Sequence, residues 1–139
     1  MAYRFLEDVA IADIAFEATG KTLSELFQSA AEATVVSMAN PKSVKEVITK
    51  EITLKAESVN NLLFDFLEEI IFIKDKDSMV FHEVKVDVDE KGMSLKATLK
   101  GDAINPATQE LRNDVKAVTM HYYEVIHEKE WKARVVLDI

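Results

Sequence analysis

The chain has 139 residues, no Cys, and a formal net charge of −8 from 25 acidic and 17 basic side chains. This length fits a single domain with its own core, which we expect to span residues 1–139. The absence of Cys excludes disulfides, thiolate metal sites and a Cys nucleophile, and the acidic balance argues against direct binding to nucleic acid.

The start of the chain predicts extended structure followed by a helix. Residues 3–16 are expected to form two short strands around residues 8–10. Thr22, followed three positions later by Glu25, is typical of a helix N-terminus. Apolar residues then recur at helical spacing. The pair Asn40-Pro41 ends this first helix, because the residue before a proline is disfavoured in helical conformation.

A strand and a second helix follow. Residues 47–56 alternate between apolar and polar side chains, as in a strand. Ser58 is a candidate N-cap for the helix after it. The apolar stripe of this helix has close to ideal amphipathic spacing. Its members are Val59, Leu62, Leu63, Phe66, Leu67, Ile70 and Ile71.

The second half of the chain predicts two β-hairpins. Residues 84–99 alternate on both sides of a turn at 89–92, and residues 101–113 have the composition of a loop. A second hairpin joins strands 115–126 and 131–137. The order of elements predicts an α+β domain, with a mostly antiparallel β-sheet and two helices packed on it.

The common catalytic fingerprints are missing from the sequence. It contains no phosphate-binding glycine loop, no G-x-S-x-G and no H-E-x-x-H. The three His residues, His82, His121 and His127, do not pair at the spacing that puts two metal ligands on one helix face. The sequence therefore does not favour an enzyme that performs covalent chemistry alone.

Asp13 is a single carboxylate within the otherwise apolar run 10–15. A carboxylate buried without a partner is costly unless it is paired or bound to a cation. Asp13 is therefore a candidate metal ligand. The alternative is a solvated Asp at the end of a strand or in a turn.

The C-terminus ends directly after an alternating strand, with Asp138 and Ile139. We expect the side chain of Asp138 and the terminal carboxylate of Ile139 to lie close together. Like charges repel unless a cation joins them, and ligands that are all oxygen favour a hard cation such as Ca²⁺ or Mg²⁺. The alternative interpretation is the ordinary end of an edge strand.

A third candidate feature lies in residues 115–122. On a regular strand, Thr119 and His121 share one face, and Lys116 lies on the opposite face with Val118 and Met120. Neither face is clearly polar, which indicates burial on both sides. Thr119 and His121 would then line a small polar site. The alternative is a half-buried His that makes one backbone hydrogen bond.

Taken together, several segments resemble the archease family over nearly the whole chain. They are FLED at 5–8, ADI at 12–14, ATGK at 18–21, LLFDFLEE at 62–69, VKAVTMH at 115–121 and WKARVVLDI at 131–139. The fourth is similar to the family's LLxxFLNEL. One departure concerns Ala10, where many members have a His three residues before the Asp. A site that depends on that imidazole could not form here.

The resemblance implies a protein cofactor of the tRNA-splicing RNA ligase rather than an enzyme. That ligase joins RNA ends carrying a 2′,3′-cyclic phosphate or a 3′-phosphate to 5′-hydroxyl ends. The family's role implies faster formation of the guanylylated ligase and multiple turnover, with GTP bound by the ligase and not by this chain. We therefore expect the ligase as partner, with no direct contact to nucleic acid.

The resemblance also implies a divalent metal bound by Asp13, Asp138 and Ile139. We expect Ca²⁺, with Mg²⁺ or Mn²⁺ as alternatives. Candidate neighbours of the site or contacts to the ligase are Lys116, Thr119 and His121.

Two other functions stay open at this point. A general chaperone or adaptor would be favoured by an exposed apolar face on the second helix. A small metal-dependent hydrolase would need an open metal position and a base, for which His121 is the obvious candidate.

We expect a cytoplasmic protein that does not contact a membrane. Residues 1–9 carry three charged side chains and lack the apolar core of a signal peptide. Residues 62–73 are too short and too charged to span a bilayer.

Overall fold

The computed structural model describes residues 2–7, 13–91 and 93–139, which form seven strands and two α-helices. The elements in chain order are β1 (Tyr3–Leu6), β2 (Asp13–Gly20), α1 (Leu23–Met38), a 3₁₀ turn (Pro41–Ser43), β3 (Ile48–Lys55), α2 (Val59–Asp77), β4 (Met79–Asp89), β5 (Ser94–Ala103), β6 (Ala117–His127) and β7 (Trp131–Asp138). The expected turn at residues 8–10 and the glycine of the turn at 89–92 lie outside the described residues.

The strands form two antiparallel sheets rather than one. The four-stranded sheet has the order β1-β2-β7-β6, and the three-stranded sheet has the order β3-β5-β4. The α+β class, the hairpins β4–β5 and β6–β7, and the order of elements are confirmed. Hairpin spacing fixes which strands are paired through a turn, but it does not fix which hairpin joins which earlier strand.

Both helices begin as the sequence predicted. The hydroxyl of Thr22 accepts a hydrogen bond from the backbone N–H of Glu25 at 3.2 Å, and the Glu25 carboxylate accepts one from the N–H of Lys21 at 3.0 Å. The hydroxyl of Ser58 accepts from the N–H of Asn61 at 3.1 Å. These bonds satisfy backbone donors that a helix leaves without intrahelical partners.

The helices join the two sheets into one core. Helix α1 packs on β2 and β7 of the four-stranded sheet and on β4 of the other. Helix α2 contacts β6, β3 and β4. Of the predicted apolar stripe of α2, Val59 is half-buried and the other six residues are buried. This helix therefore offers its stripe to the core and not to a partner protein.

Side chains of α1 cover the open edge of β4. The Gln28 amide donates to the carbonyl oxygen of Val84 at 2.6 Å and accepts from the N–H of Val86 at 3.1 Å. The hydroxyl of Ser24 accepts from the N–H of Val88 at 2.9 Å. Backbone groups that an edge strand leaves unpaired are thus satisfied by the helix.

Strand boundaries differ from the sequence prediction where alternation is absent. Strand β4 begins at Met79, and Met79, Val80 and Phe81 are all buried, so this part of the strand carries no period-two signal. Strand β5 continues through Gly101 to Ala103. A Cβ at Gly101 would clash with the carbonyl oxygen of Val80, which explains a glycine within this strand.

Candidate metal centre at the end of the four-stranded sheet

The register of the sheet brings two of the sequence-predicted ligands together. Asp13, the first residue of β2, lies directly opposite Asp138, the last residue of β7. Residues directly opposite each other in an antiparallel pair project their side chains from the same face. Asp13 is half-buried and Asp138 is exposed. The two carboxylates, far apart in sequence, are therefore neighbours at one end of the sheet.

The pair lies on the face of the sheet that points away from the main core. Phe16 and Val135, which are opposite each other, belong to the core cluster on the inner face. Ala15 and Val136 lie on the outer face, next to the carboxylates, and are buried there as well. The expected alternative of an edge-strand end for Asp138 is wrong, because β7 lies between β2 and β6.

The last residues of β7 are held on both sides. The N–H of Lys116 donates to the carbonyl oxygen of Asp138 at 2.7 Å, and Ala117 is opposite Asp138 in the β6–β7 ladder. Ile139 is half-buried and packs against the core. The main-chain oxygens of Ile139 therefore belong to the residue next to Asp138 at this end of the sheet.

The electrostatics of the pair favour a cation. Like charges directly opposite each other in a sheet destabilise it. Within the described part of the chain, no Lys, Arg or His forms a salt bridge with Asp13 or Asp138. The donors at this end of the sheet are all oxygen, which fits a hard divalent cation. Among residues 2–7, 13–91 and 93–139, no three His, Asp or Glu side chains converge into a metal cluster.

Asp13 also borders a cavity of about 490 Å³. Its polar lining residues include Arg112 and Asn113, and its described lining contains no His. Arg112 donates to the carbonyl oxygen of Val36 and to the carboxylate of Glu110. His121, the base that the hydrolase alternative requires, is not among the described residues that line this cavity.

Thr119 lies within β6, whereas Lys116 lies just before it. Thr119 is half-buried on the outer face, opposite Val136, and so shares the face of Asp138. Lys116 precedes β6, and its exposed side chain lies close enough to Asp114 to lower the pKa of that carboxyl as a minor cause. Lys116 contacts the site through its backbone, and it lies just before β6 rather than within the expected strand 115–126.

His121 does not line a buried polar site. The register of β6 and β7 shifts between Thr119 and Glu124, and Tyr122 has a left-handed backbone with φ 56°. This bulge leaves His121 exposed with its ring 4.2 Å from that of Tyr122. The carbonyl oxygen of Tyr122 accepts from Arg134 Nε at 3.0 Å. A bulge breaks the two-residue period, which is why the sequence alternation misplaced His121.

Lys74 is a buried charged residue that the sequence pattern did not single out. Its side chain is 5% exposed, and its ammonium contacts Asp114 at 2.6 Å, Asp75 at 2.8 Å and the carbonyl oxygen of Val115 at 2.7 Å. Burial lowers the pKa of Lys74, but the hydrogen bonds to Asp114 and Asp75 outweigh it and raise the pKa above its usual value. The available signal in the sequence was its spacing: Lys74 lies three residues after Ile71, so it continues the apolar stripe of α2, where a charged side chain is expected to need a partner.

Glu68 makes a second contact between α2 and the residues around the start of β6. Its carboxylate accepts a hydrogen bond from the N–H of Val118 at 2.9 Å, which satisfies a donor on the outer edge of β6. Tyr123 of β6 makes a third contact with α2, since its hydroxyl donates to the carbonyl oxygen of Asn60 at 2.7 Å. Burial raises the pKa of Tyr123. Nothing in the sequence indicated either partner.

We expect Asp114→Asn to flatten the acid side of the stability profile. The hydrogen bond from Lys74 holds the pKa of Asp114 below its usual value in the folded protein. A lowered folded pKa gives stability that is present above the unfolded pKa near 4 and is lost as pH falls through the folded pKa. Urea unfolding of wild type and variant from pH 5 to 2 measures this, and parallel profiles would contradict it.

The fold and the candidate site together define a class of protein. It is a small α+β domain of two antiparallel sheets, whose candidate site is a pair of cross-strand carboxylates beside the last residue of a central strand.

Comparison with known proteins gives the family. The model of the Archease protein family (MTH1598/TM1083) matches residues 3–139. The chain is 37% identical over 131 residues to the protein archease of Methanothermobacter thermautotrophicus, covering 92% of this chain and 93% of that one. It is 34% identical over 132 residues to that of Pyrococcus abyssi, with the same coverage. The chain belongs to the archease family.

Solved structures share this fold. The solution structure of Methanobacterium thermoautotrophicum protein 1598 superposes with a TM-score of 0.79 at 34% identity, covering 99% of both chains. The crystal structure of an archease from Thermotoga maritima, described as a "possible chaperone", has a TM-score of 0.68 at 20% identity and covers 96% of both chains. In the described part of this chain, no helix is long and apolar enough to cross a membrane.

Proposed function

We propose that this chain is a non-catalytic protein cofactor of the tRNA-splicing RNA ligase. It would promote guanylylation of the ligase and multiple-turnover joining of 2′,3′-cyclic phosphate or 3′-phosphate ends to 5′-hydroxyl RNA ends. The observation that carries the proposal is the register that puts Asp13 opposite Asp138 in a chain of the archease family. GTP and the nucleophile of the guanylylation step belong to the ligase.

The proposed metal ligands are Asp13, Asp138 and the main-chain oxygens of Ile139. All are oxygen donors, which favours Ca²⁺, with Mg²⁺ or Mn²⁺ as alternatives. A bound divalent cation supplies positive charge that joins the two carboxylates and can attract phosphate oxygens. The chain's own part is to hold these donors at the end of β7, where the N–H of Lys116 fixes the carbonyl of Asp138.

The proposed ligase contacts lie beside these ligands. Thr119, in β6, shares the outer face. Lys116, just before β6, and His121, within it, have exposed side chains. The net charge of −8 complements a basic, RNA-handling ligase and would make association depend on salt.

The test is guanylylation and turnover of the purified ligase of the same organism, with and without this protein. Asp13→Ala should remove the acceleration while the far-ultraviolet circular dichroism spectrum stays that of wild type. Glu51→Ala, which removes an exposed carboxylate from β3 on the other sheet, is the matched control and should keep full acceleration. A ligase whose rate does not respond to the wild-type protein would contradict the proposal.

A general chaperone or adaptor is the alternative function. The burial of the α2 stripe removes the sequence argument for it, and the description of the Thermotoga maritima relative is its remaining support. Protection of an unrelated unfolding protein from aggregation, at equal molar ratio, would favour this alternative over a ligase-specific role.

A further inference from the structure

Segment 114–118, between the loop and β6, forms one side of the candidate metal centre. In its middle, the N–H of Lys116 donates to the carbonyl oxygen of Asp138 at 2.7 Å, and Ala117 is opposite Asp138. Any movement of this segment therefore moves the backbone of Asp138, whose carboxylate is exposed. What holds the segment thus decides the geometry of the donors.

Two contacts from one helix hold this segment, one at each end. At its start, the buried ammonium of Lys74 binds the carboxylate of Asp114 and the carbonyl oxygen of Val115. At its end, the carboxylate of Glu68 binds the N–H of Val118. Both side chains project from α2, a helix whose apolar stripe is fixed in the core.

We propose that Glu68 and Lys74 are positioning residues for the strand-end carboxylates, and that α2 acts on the proposed metal centre through them. This inference rests on the proposed metal site. Each contact satisfies a backbone group of segment 114–118, and a satisfied, partly buried hydrogen bond restricts that group more than a solvated one. Residues that orient metal ligands from outside the coordination sphere commonly change metal affinity when substituted.

The opposite charges of the two residues separate positioning from simple electrostatics. Removing the negative Glu68 by Glu68→Ala would weaken cation binding by charge alone, whereas removing the positive Lys74 by Lys74→Met would strengthen it. Positioning predicts that both substitutions weaken binding. Glu68→Gln removes the charge but keeps an oxygen that can accept from the N–H of Val118, so it should restore wild-type behaviour.

The experiment measures Ca²⁺ affinity by calorimetry and amide hydrogen exchange by NMR, on the full chain well below its unfolding temperature. We expect Glu68→Ala and Lys74→Met each to weaken Ca²⁺ binding by about tenfold. We expect the amides of Lys116 and Val118 to exchange at least about tenfold faster in Glu68→Ala, as for locally opened structure. Glu69→Ala and Lys76→Met, on the same helix, are the matched controls and should change neither.

The outcomes separate this inference from the proposed function. Tighter Ca²⁺ binding in Lys74→Met would overturn positioning and leave an electrostatic effect. Unchanged exchange of both amides in Glu68→Ala would overturn it as well. A wild-type protein that binds no divalent cation would contradict the metal site, and the exchange of the Lys116 amide in Glu68→Ala would still decide whether α2 holds the segment.

Discussion

Replacing Asp13 with Asn is expected to stabilise the metal-free protein and at the same time to remove about half of its stabilisation by Ca²⁺. The two effects have opposite signs because Asp13 and Asp138 are like charges in directly opposite positions. Without a cation their repulsion is a cost, and its removal should raise the free energy of unfolding by about 0.5–1 kcal/mol.

With a cation, the same carboxylate becomes a ligand. At a Ca²⁺ concentration about one hundred times Kd, a bound ion stabilises the folded protein by about 2.7 kcal/mol. A tenfold weaker Kd in Asp13→Asn would reduce this to about 1.4 kcal/mol at the same concentration. Urea unfolding in EDTA and in Ca²⁺, for wild type and variant, measures both terms.

The matched control for this prediction is Glu51→Gln, which removes one exposed carboxylate from the other sheet. It should leave the response to Ca²⁺ unchanged. A loss of stability of Asp13→Asn in EDTA would show that the carboxylates do not repel. An unchanged response of Asp13→Asn to Ca²⁺ would show that Asp13 is not a ligand.

Phe66→Ala should cause a large loss of stability. Phe66 is fully buried and stacks on Phe27, with ring centroids 6.1 Å apart and an interplanar angle of 18°. Truncating a buried Phe removes its apolar contacts and leaves a cavity, at a cost of about 3–5 kcal/mol. Since a domain of this kind has only about 5–15 kcal/mol in total, the variant should unfold at much lower urea concentration.

Phe72→Ala is the matched control on the same helix. Phe72 is 54% exposed and contacts the Lys76 ammonium at 5.9 Å from its ring centroid. Its truncation should change the free energy of unfolding by no more than about 0.5 kcal/mol. Equal effects of the two substitutions would contradict the observed orientation of α2, with its stripe in the core.

The candidate ligands were predicted from sequence because charge in an apolar context is a local signal. Asp13 follows an apolar stretch, and Asp138 ends an alternating strand. The same pattern could not say that β7 is a central strand, since every strand of an antiparallel sheet can have the same period of two. The alternative of an edge-strand end for Asp138 could therefore be excluded only by the topology of the sheet.

The hydrogen-bond partners of Glu68 and Lys74 could not be predicted from the sequence for a different reason. These side chains bind backbone groups of residues 118 and 115, and a backbone N–H or C=O has the same chemistry at every position. No side-chain pattern marks such a partner. The bulge around Tyr122 likewise could not be predicted, because three extra residues on β6 change the register without changing the composition of the strand.

The sequence by itself determined the helices, their N-caps, the two hairpins and the α+β class, because these follow from interactions between residues close in the chain or from the period of apolar side chains. It also singled out Asp13 and the C-terminal Asp138 and Ile139, which the family resemblance joined into one candidate metal site. Only the tertiary structure decided that there are two sheets, that Asp13 faces Asp138, and that α2 holds segment 114–118. Pairing between distant strands depends on which surfaces the whole core brings together, and local periodicity carries no information about that choice.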